Sequence, residues 1–260
     1  MSKKVLALSV AFALTGLGAA HAAPLPAKPT VVLVHGAFAD SSSWDGVVAD
    51  LKRDGYPVVS AANPLRGAAS DAAAVRTVIN SIPGPVVLVG HSYGGTVISA
   101  AADGAANVKA LVYVAAFAPE VGESTFELSG KFPGSTLPAA LDKPVDLPGG
   151  GHDLYIRQDK FPAQFAADVP LAKARLMAIA QRPLTDAAGG EKAVSTAWKT
   201  IPSWWVYGGA DRNIPPAAMA FMAQRAHARQ VVTVPGASHV VMISHPHAVS
   251  ALIETAAKAQ

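Results

Sequence analysis

The stretch Pro85-Val86-Val87-Leu88-Val89-Gly90-His91-Ser92-Tyr93-Gly94-Gly95 decides how this chain folds. Its first half is an apolar, β-branched run, the pattern of a strand buried on both faces. The run breaks at Gly90-x-Ser92-x-Gly94, and Thr96 to Ala102 continues in residues a helix accepts. The reading is strand, sharp turn, helix. The two glycines leave room for a cramped backbone, and Ser92 sits at the tip of the turn with its hydroxyl clear of the sheet. There it meets the first N–H groups of a helix, which favour developing negative charge. Ser92 is therefore a candidate nucleophile. Glycine and serine are common, so the motif draws its weight from this strand-to-helix context.

Working outward, Thr30-Val31-Val32-Leu33-Val34-His35 is another continuous apolar run, ending at Gly36-Ala37-Phe38. Asp40-Ser41-Ser42-Ser43 supplies cap chemistry for a helix from about Trp44 to Arg53. A short strand over Tyr56 to Ser60 follows. Val75, Val78 and Ile79 sit at helical spacing within Asp71 to Ile82, and Val108 to Ala116 is a further buried strand. Repeated strand-helix alternation predicts a mostly parallel sheet with helices on both faces, an α/β fold.

From Pro119 to about Thr200 no buried strand is legible. Several prolines and Gly149-Gly150-Gly151 separate short amphipathic segments around Phe161 to Ala167 and Pro170 to Gln181, with Asp168 close to an N-cap. This predicts a mostly helical lid. Its apolar anchors, among them Phe126, Phe132, Phe161, Phe165 and Leu176, argue against a linker. The alternation resumes with Ser203 to Tyr207, a helix from Pro215-Pro216 to about Ala226, a last strand over Gln230 to Val234 and a terminal helix opened by His245-Pro246. The expected organisation is a leader at 1–22, the first part of the core at 23–118, the lid at 119–200 and the second part of the core at 201–260.

The bulk numbers fit this plan. A chain of 260 residues, 51% hydrophobic and 15% charged, makes one sizeable domain or one with an insertion. Met1 to Ala22 reads as a secretory leader: Lys3 and Lys4 form a basic start, Val5 to Leu17 is apolar, and Ala20-His21-Ala22 has the small-x-small cleavage pattern. The apolar run falls short of the ~20 residues a spanning helix needs. Cleavage after Ala22 is expected, giving a periplasmic or secreted protein without a stable membrane anchor. Pro24 to Pro29 reads as an aperiodic Pro/Ala-rich lead-in and is expected to be mobile. The formal charge is +3, and without Lys3 and Lys4 the remainder is nearly neutral, which gives no electrostatic case for nucleic acid or anionic membrane. The chain has no cysteine, which excludes disulfides, thiolate metal sites and a thiol nucleophile. No His/Asp/Glu spacing suggests a metal. The Gly149 run lacks the Lys-Ser/Thr of a phosphate-binding loop, and no cofactor is expected. Nothing in the sequence fixes an oligomeric state.

Serine alone is a poor nucleophile at neutral pH. It needs a base within hydrogen-bond reach, and that base needs a third group to fix its tautomer. Asp211 follows the strand ending at Tyr207, and His239 follows the strand ending at Val234. With Ser92 they lie past the C-terminal ends of parallel strands, where open α/β sheets place their sites. His239 is the expected base and Asp211 its partner. His91 adjoins Ser92 but should point away as a structural residue; His35 is better suited to fixing a turn. His152 lies in the lid, and His227, His245 and His247 read as surface or helix-start positions. Asp45, Asp50, Asp54 and Asp103 fall on helices as solvated or capping groups. A tetrahedral intermediate also needs donors for its oxygen. The N–H of Tyr93 is the first, and the turn His35-Gly36-Ala37-Phe38 supplies the second, Ala37 being favoured over Phe38. Phe38, His91 and Phe117 are the expected substrate contacts.

HGAFADSSSW (His35–Trp44), GHSYGG (Gly90–Gly95), YVAAFAPE (Tyr113–Glu120), YGGADRNIP (Tyr207–Pro215) and GASHVVMISHP (Gly236–Pro246) together resemble the α/β-hydrolases. They are similar in particular to the small-lid branch of salicylate-binding-type methyl esterases, hydroxynitrile lyases and their bacterial relatives. The resemblance runs from Val31 to the C-terminus apart from the lid. It implies an α/β-hydrolase fold, the Ser92–Asp211–His239 triad, and hydrolysis of a small-molecule ester. Epoxide hydrolases and haloalkane dehalogenases of this fold use aspartate where Ser92 stands. Hydroxynitrile lyases of the branch carry threonine and lysine where this chain has Gly36 and Val240, so the resemblance favours hydrolysis over lyase chemistry. A ligand-binding protein on the same scaffold, or lyase or perhydrolase activity at the same site, are the alternatives.

Overall fold

The computed structural model describes residues 28–259; the expected leader and residues 24–27 of the lead-in lie outside the described residues. In chain order the front half runs β1 (Thr30–Val34), α1 (Asp45–Arg53), β2 (Val58–Ala61), α2 (Ala68–Asn80), β3 (Val86–His91), α3 (Tyr93–Ala101) and β4 (Val108–Val114). The rear runs β8 (Ser203–Gly208), α9 (Pro216–Arg225), β9 (Gln230–Val234), α10 (Val241–Ser244) and α11 (Pro246–Lys258). These strands form one sheet in the order β2-β1-β3-β4-β8-β9, parallel at every pairing. β3 is buried along its whole length, which is why its sequence is continuously apolar rather than alternating. β9 forms an edge and is half exposed.

From β1 the chain goes outward to β2, then returns across β1 to β3. Right-handed crossovers therefore place α1 and α2 on opposite faces. α1 packs on α11 and α2 packs on α3. This reversal leaves a crevice at the C-terminal ends of β1 and β3, the place where such sheets bind ligands. Asp50, read from the sequence as solvated or capping, is instead buried: it accepts from Arg53 (2.8 Å) and from the Ser250 hydroxyl (3.1 Å), so it joins α1 to α11. The core centres on Trp44, Tyr113 and Trp205, the last two stacked with ring centroids 4.4 Å apart.

Between β4 and β8 lies the insert: α4 (Thr125–Gly130), α5 (Leu137–Ala140), β5 (Val145–Asp146), β6 (His152–Leu154), α6 (Phe161–Phe165), α7 (Leu171–Ala180), β7 (Leu184–Thr185) and α8 (Asp186–Gly190). The sequence showed no buried strand here, yet β5, β6 and β7 form a small antiparallel sheet. Two or three residues are too short for alternation to register. α4 opens with a capping box, the Glu127 N–H donating to Ser124 Oγ and the Ser124 N–H to Glu127 Oε2. Asp168 does not cap α7. Pro170 holds the N-cap position there, and the Asp168 carboxylate accepts from the Ser238 hydroxyl instead. Of the expected anchors, Phe161 and Phe165 are fully buried. Phe126 and Leu176 are exposed.

Candidate active site

β3 delivers Ser92 into a turn with φ 53° and ψ −124°, a conformation that costs about 1–3 kcal/mol and persists only where surroundings impose it. They do so through close approach. A Cβ on Gly90 would lie 2.6 Å from the Gly94 carbonyl oxygen, and one on Gly94 would lie 2.6 Å from that of Val34. The Ser92 carbonyl accepts from the N–H groups of Gly95 (2.9 Å) and Phe117 (3.1 Å), and its own N–H donates to Val114 (3.2 Å). The backbone is thus pinned on three sides. As the first residue of α3, Tyr93 has an N–H with no acceptor inside the helix.

The turn after β1 is set by His35, which is completely buried. Its Nδ1–H donates to the Gly36 carbonyl (3.0 Å), and its Nε2 accepts from the Asn63 N–H (3.1 Å). Both ring nitrogens are used and the tautomer is assigned by that pairing. Burial holds the His35 pKa below the usual imidazole value, so the ring is neutral. A trans peptide directs its carbonyl and the following N–H to opposite sides. With the Gly36 carbonyl turned to the His35 ring, the Ala37 N–H faces away from it, and no acceptor takes it among the described residues. The Phe38 N–H donates to the Arg182 carbonyl (2.8 Å). Of the two expected donors in this turn, Ala37 is free and Phe38 is engaged.

Asp211 and His239 arrive on the loops after β8 and β9. A Cβ on Gly208 would strike the carbonyls of Ala237 and Ser238, so a side chain there would force the two loops apart. The Ala210 N–H donates to the Ala237 carbonyl (3.0 Å), which ties them further. Asp211 Oδ1 accepts from the N–H groups of Asn213 (2.8 Å) and Ile214 (3.0 Å). Its Oδ2 accepts from His239 Nδ1 at 2.7 Å. That bond assigns the proton to Nδ1 and leaves Nε2 free to accept one. Ser92 Oγ makes no hydrogen bond to His239 among the described residues. The serine is 7% exposed and the histidine 1%.

His91 connects them. It precedes Ser92 in the chain, its Nε2–H donates to the His239 carbonyl (3.2 Å), and the two rings lie 4.8 Å apart. Complete burial drives the His91 pKa well down, and His239 nearby adds to that. His91, expected both as a structural residue and as a substrate contact, exposes no surface in this structure. Phe38 is buried with its ring edge-on to Phe165 at 6.1 Å. Phe117 is buried, and its backbone N–H braces the serine turn.

Three site neighbours escaped the sequence reading. Phe165 on α6 packs its ring 5.1 Å from His239 and 6.3 Å from His91. Asp168 holds Ser238, the residue before His239. Gln164 donates to Asn213 Oδ1 (2.6 Å) and to the Arg212 carbonyl (2.9 Å), and it accepts from Thr136 Oγ1 (2.7 Å). It thereby latches the Asp211 loop to the insert. The one available signal was a glutamine set among Phe161, Phe165 and alanines, where a buried amide demands partners.

A strained serine turn, a buried histidine–aspartate pair and a crevice at the sheet's reversal define the α/β class of hydrolase folds. The chain matches the alpha/beta hydrolase family over residues 31–252, and it belongs to that family. It is 34% identical to a carbendazim hydrolyzing esterase from a Nocardioides species over 138 residues, which span 45% of this chain and 57% of that protein. In fold it is similar to polyneuridine aldehyde esterase (TM-score 0.75, 19% identity, covering 88% of this chain and 98% of the other). It is also similar to an extracellular alpha/beta-hydrolase from a Paenibacillus species, described as homologous in structure and function to tobacco salicylic acid binding protein 2 (TM-score 0.69, 22% identity, covering 88% and 98%).

Proposed function

We propose that this chain is a serine carboxylester hydrolase acting on small to medium apolar esters through an acyl-enzyme. The observation that carries the reading is the buried His239 Nδ1–Asp211 bond of 2.7 Å, on a ring that packs against the residue preceding Ser92. His239 Nε2 takes the proton as Ser92 Oγ attacks the acyl carbon. Asp211 stays ionised and stabilises the imidazolium. The oxyanion receives hydrogen bonds from the N–H groups of Ala37 and Tyr93, each donor contributing roughly 3 kcal/mol at the transition state. The proton then passes to the leaving alkoxide. Water, deprotonated by the same nitrogen, attacks the acyl carbon, and Ser92 departs with the proton as the acid is released. Contact between Ser92 Oγ and Nε2 closes when substrate fills the site, as such bonds commonly tighten in the reactive complex.

Two observations favour hydrolysis over lyase chemistry. A Cβ at Gly36 would lie 2.6 Å from Ser92 Cβ, so this backbone has no room for a threonine there. Val240 is buried and apolar, so that position offers no cation to support a leaving cyanide. Phe38 and Phe165 give the surroundings of the site an apolar character, consistent with apolar esters. Relatives named as esterases support the same class of bond.

The test is p-nitrophenyl acetate turnover together with fluorophosphonate labelling. Ser92→Ala should lower turnover by at least about a thousandfold with the fold intact, and label should map to Ser92. Unchanged turnover in that variant overturns the assignment. A stable ligand complex without turnover in the wild type would instead favour a binding protein. We further propose export with cleavage after Ala22. Protein recovered from an exporting host should then have an intact mass that begins at Ala23, and a mass retaining Met1 speaks against it.

A further inference from the structure

α7 turns an apolar ridge to solvent. Leu176 and Ile179 are each 68% exposed and Leu171 is 54% exposed. At 100° per residue, Ala172, Leu176 and Ile179 lie along the outermost line of the helix, opposite the buried Ala174 and Ala178. Arg175 flanks that line on one side and Lys173 on the other. Between Asp168 and Asp186 the chain carries Lys173, Arg175 and Arg182 and no acidic residue. An apolar ridge between long cationic side chains is the arrangement of a helix that lies in a lipid–water interface, its stems along the acyl boundary and its charges at the headgroups.

The ridge also adjoins the site. A groove of about 220 Å³ separates α7 from the turn after β1, lined by Phe38, Ala39, Leu176, Met177 and Gln181 among others. Arg182, two residues past α7, accepts the Phe38 N–H. Movement of α7 therefore reaches the turn that carries the Ala37 donor.

We propose that the outer face of α7 docks on anionic lipid surfaces and presents the site to esters dissolved in them; the last clause rests on the ester-hydrolase reading, while the docking does not. Charge decides the occupant. The flanks are cationic and α7 itself carries no acidic residue, although Asp40 shares the groove lining with Lys173; the balance matches a negatively charged headgroup layer. A protein partner is the poorer fit, because Leu176, Ile179 and Ala172 on a convex ridge, with Leu171 to one side, fall well short of the ~800 Å² per side of a stable interface. No described helix is long and apolar enough to cross a membrane, so contact would be peripheral.

The chain has no cysteine, so Ala172→Cys takes an environment-sensitive dye at one place on the ridge, and Lys109→Cys takes it at a remote control site. With phosphatidylglycerol vesicles, emission from position 172 should rise severalfold and shift to the blue, with no change at 109. Phosphatidylcholine vesicles should give no response. Leu176→Ser with Ile179→Ser should weaken vesicle affinity about tenfold or more. Lys173→Gln with Arg175→Gln should weaken it roughly fivefold per cation at low salt. A silent label at 172, an equal response to phosphatidylcholine, or a concentration-dependent shift without vesicles (a second copy as occupant) overturns the proposal. Each variant is also assayed on soluble p-nitrophenyl acetate, where wild-type rates are expected. A failed vesicle response with intact esterase activity removes the docking alone. A vesicle response without Ser92-dependent turnover removes the ester reading alone.

Discussion

At Gly36 a Cβ would meet both the His91 carbonyl oxygen and Ser92 Cβ at 2.6 Å. Both obstacles belong to the serine turn, and neither is the free end of a flexible side chain. Relief requires either the serine turn or the Ala37 turn to shift. Gly36→Ala should therefore cost about 1–3 kcal/mol of stability. It should also lower kcat at least about tenfold while KM changes less, because the spacing between attacking oxygen and oxyanion donors is what moves. Urea unfolding with steady-state kinetics checks both effects. The same scale shows why Ala37 rather than Phe38 suits the donor role. His35 turns one peptide so that its N–H is spare, whereas the next N–H is bonded to Arg182. The sequence could order these two only by position, since a backbone amide leaves no trace in residue identity.

At the scale of elements, the insert is fastened to the core by partly buried polar groups. Glu123, just before α4, accepts from Arg225 at the end of α9 (2.6 Å), from Lys131 (3.3 Å) and from the Glu120 N–H (2.9 Å). Burial pushes its carboxyl up, but Arg225 and the other donors outweigh that and hold the pKa at about 2. The folded state then releases this proton far more readily than the unfolded chain, whose ordinary value is 4.5. The contribution is complete above pH 4.5 and is lost as pH falls through 2. The stability gap between wild type and Glu123→Gln should accordingly be flat from pH 5 to 7 and shrink from pH 4.5 toward 2, as read by urea midpoints at pH 3, 5 and 7. The core elements were legible in advance because parallel strands buried on both faces write themselves as unbroken apolar runs. β1, β3, β4 and β8 appear where Thr30, Val86, Val108 and Ser203 begin such runs. The insert was not, for two reasons. β5 to β7 are too short to show a period, and Asp168 and Gln164 act through partners more than forty residues away, which no local pattern records.

At the scale of the whole molecule, a nearly neutral total conceals a local imbalance. The +3 formal charge gave no reason to expect attraction to an anionic surface, yet the α7 segment gathers three cations without an acid. Sums over a chain say little about one helix, because screening confines each charge to neighbours within about 10 Å. The two buried imidazoles flanking the serine turn have a quieter effect on the molecule's titration. Burial pushes the pKa of both His35 and His91 below the ordinary imidazole value, so the unfolded chain takes up these two protons more readily than the folded one, and acid favours unfolding through them.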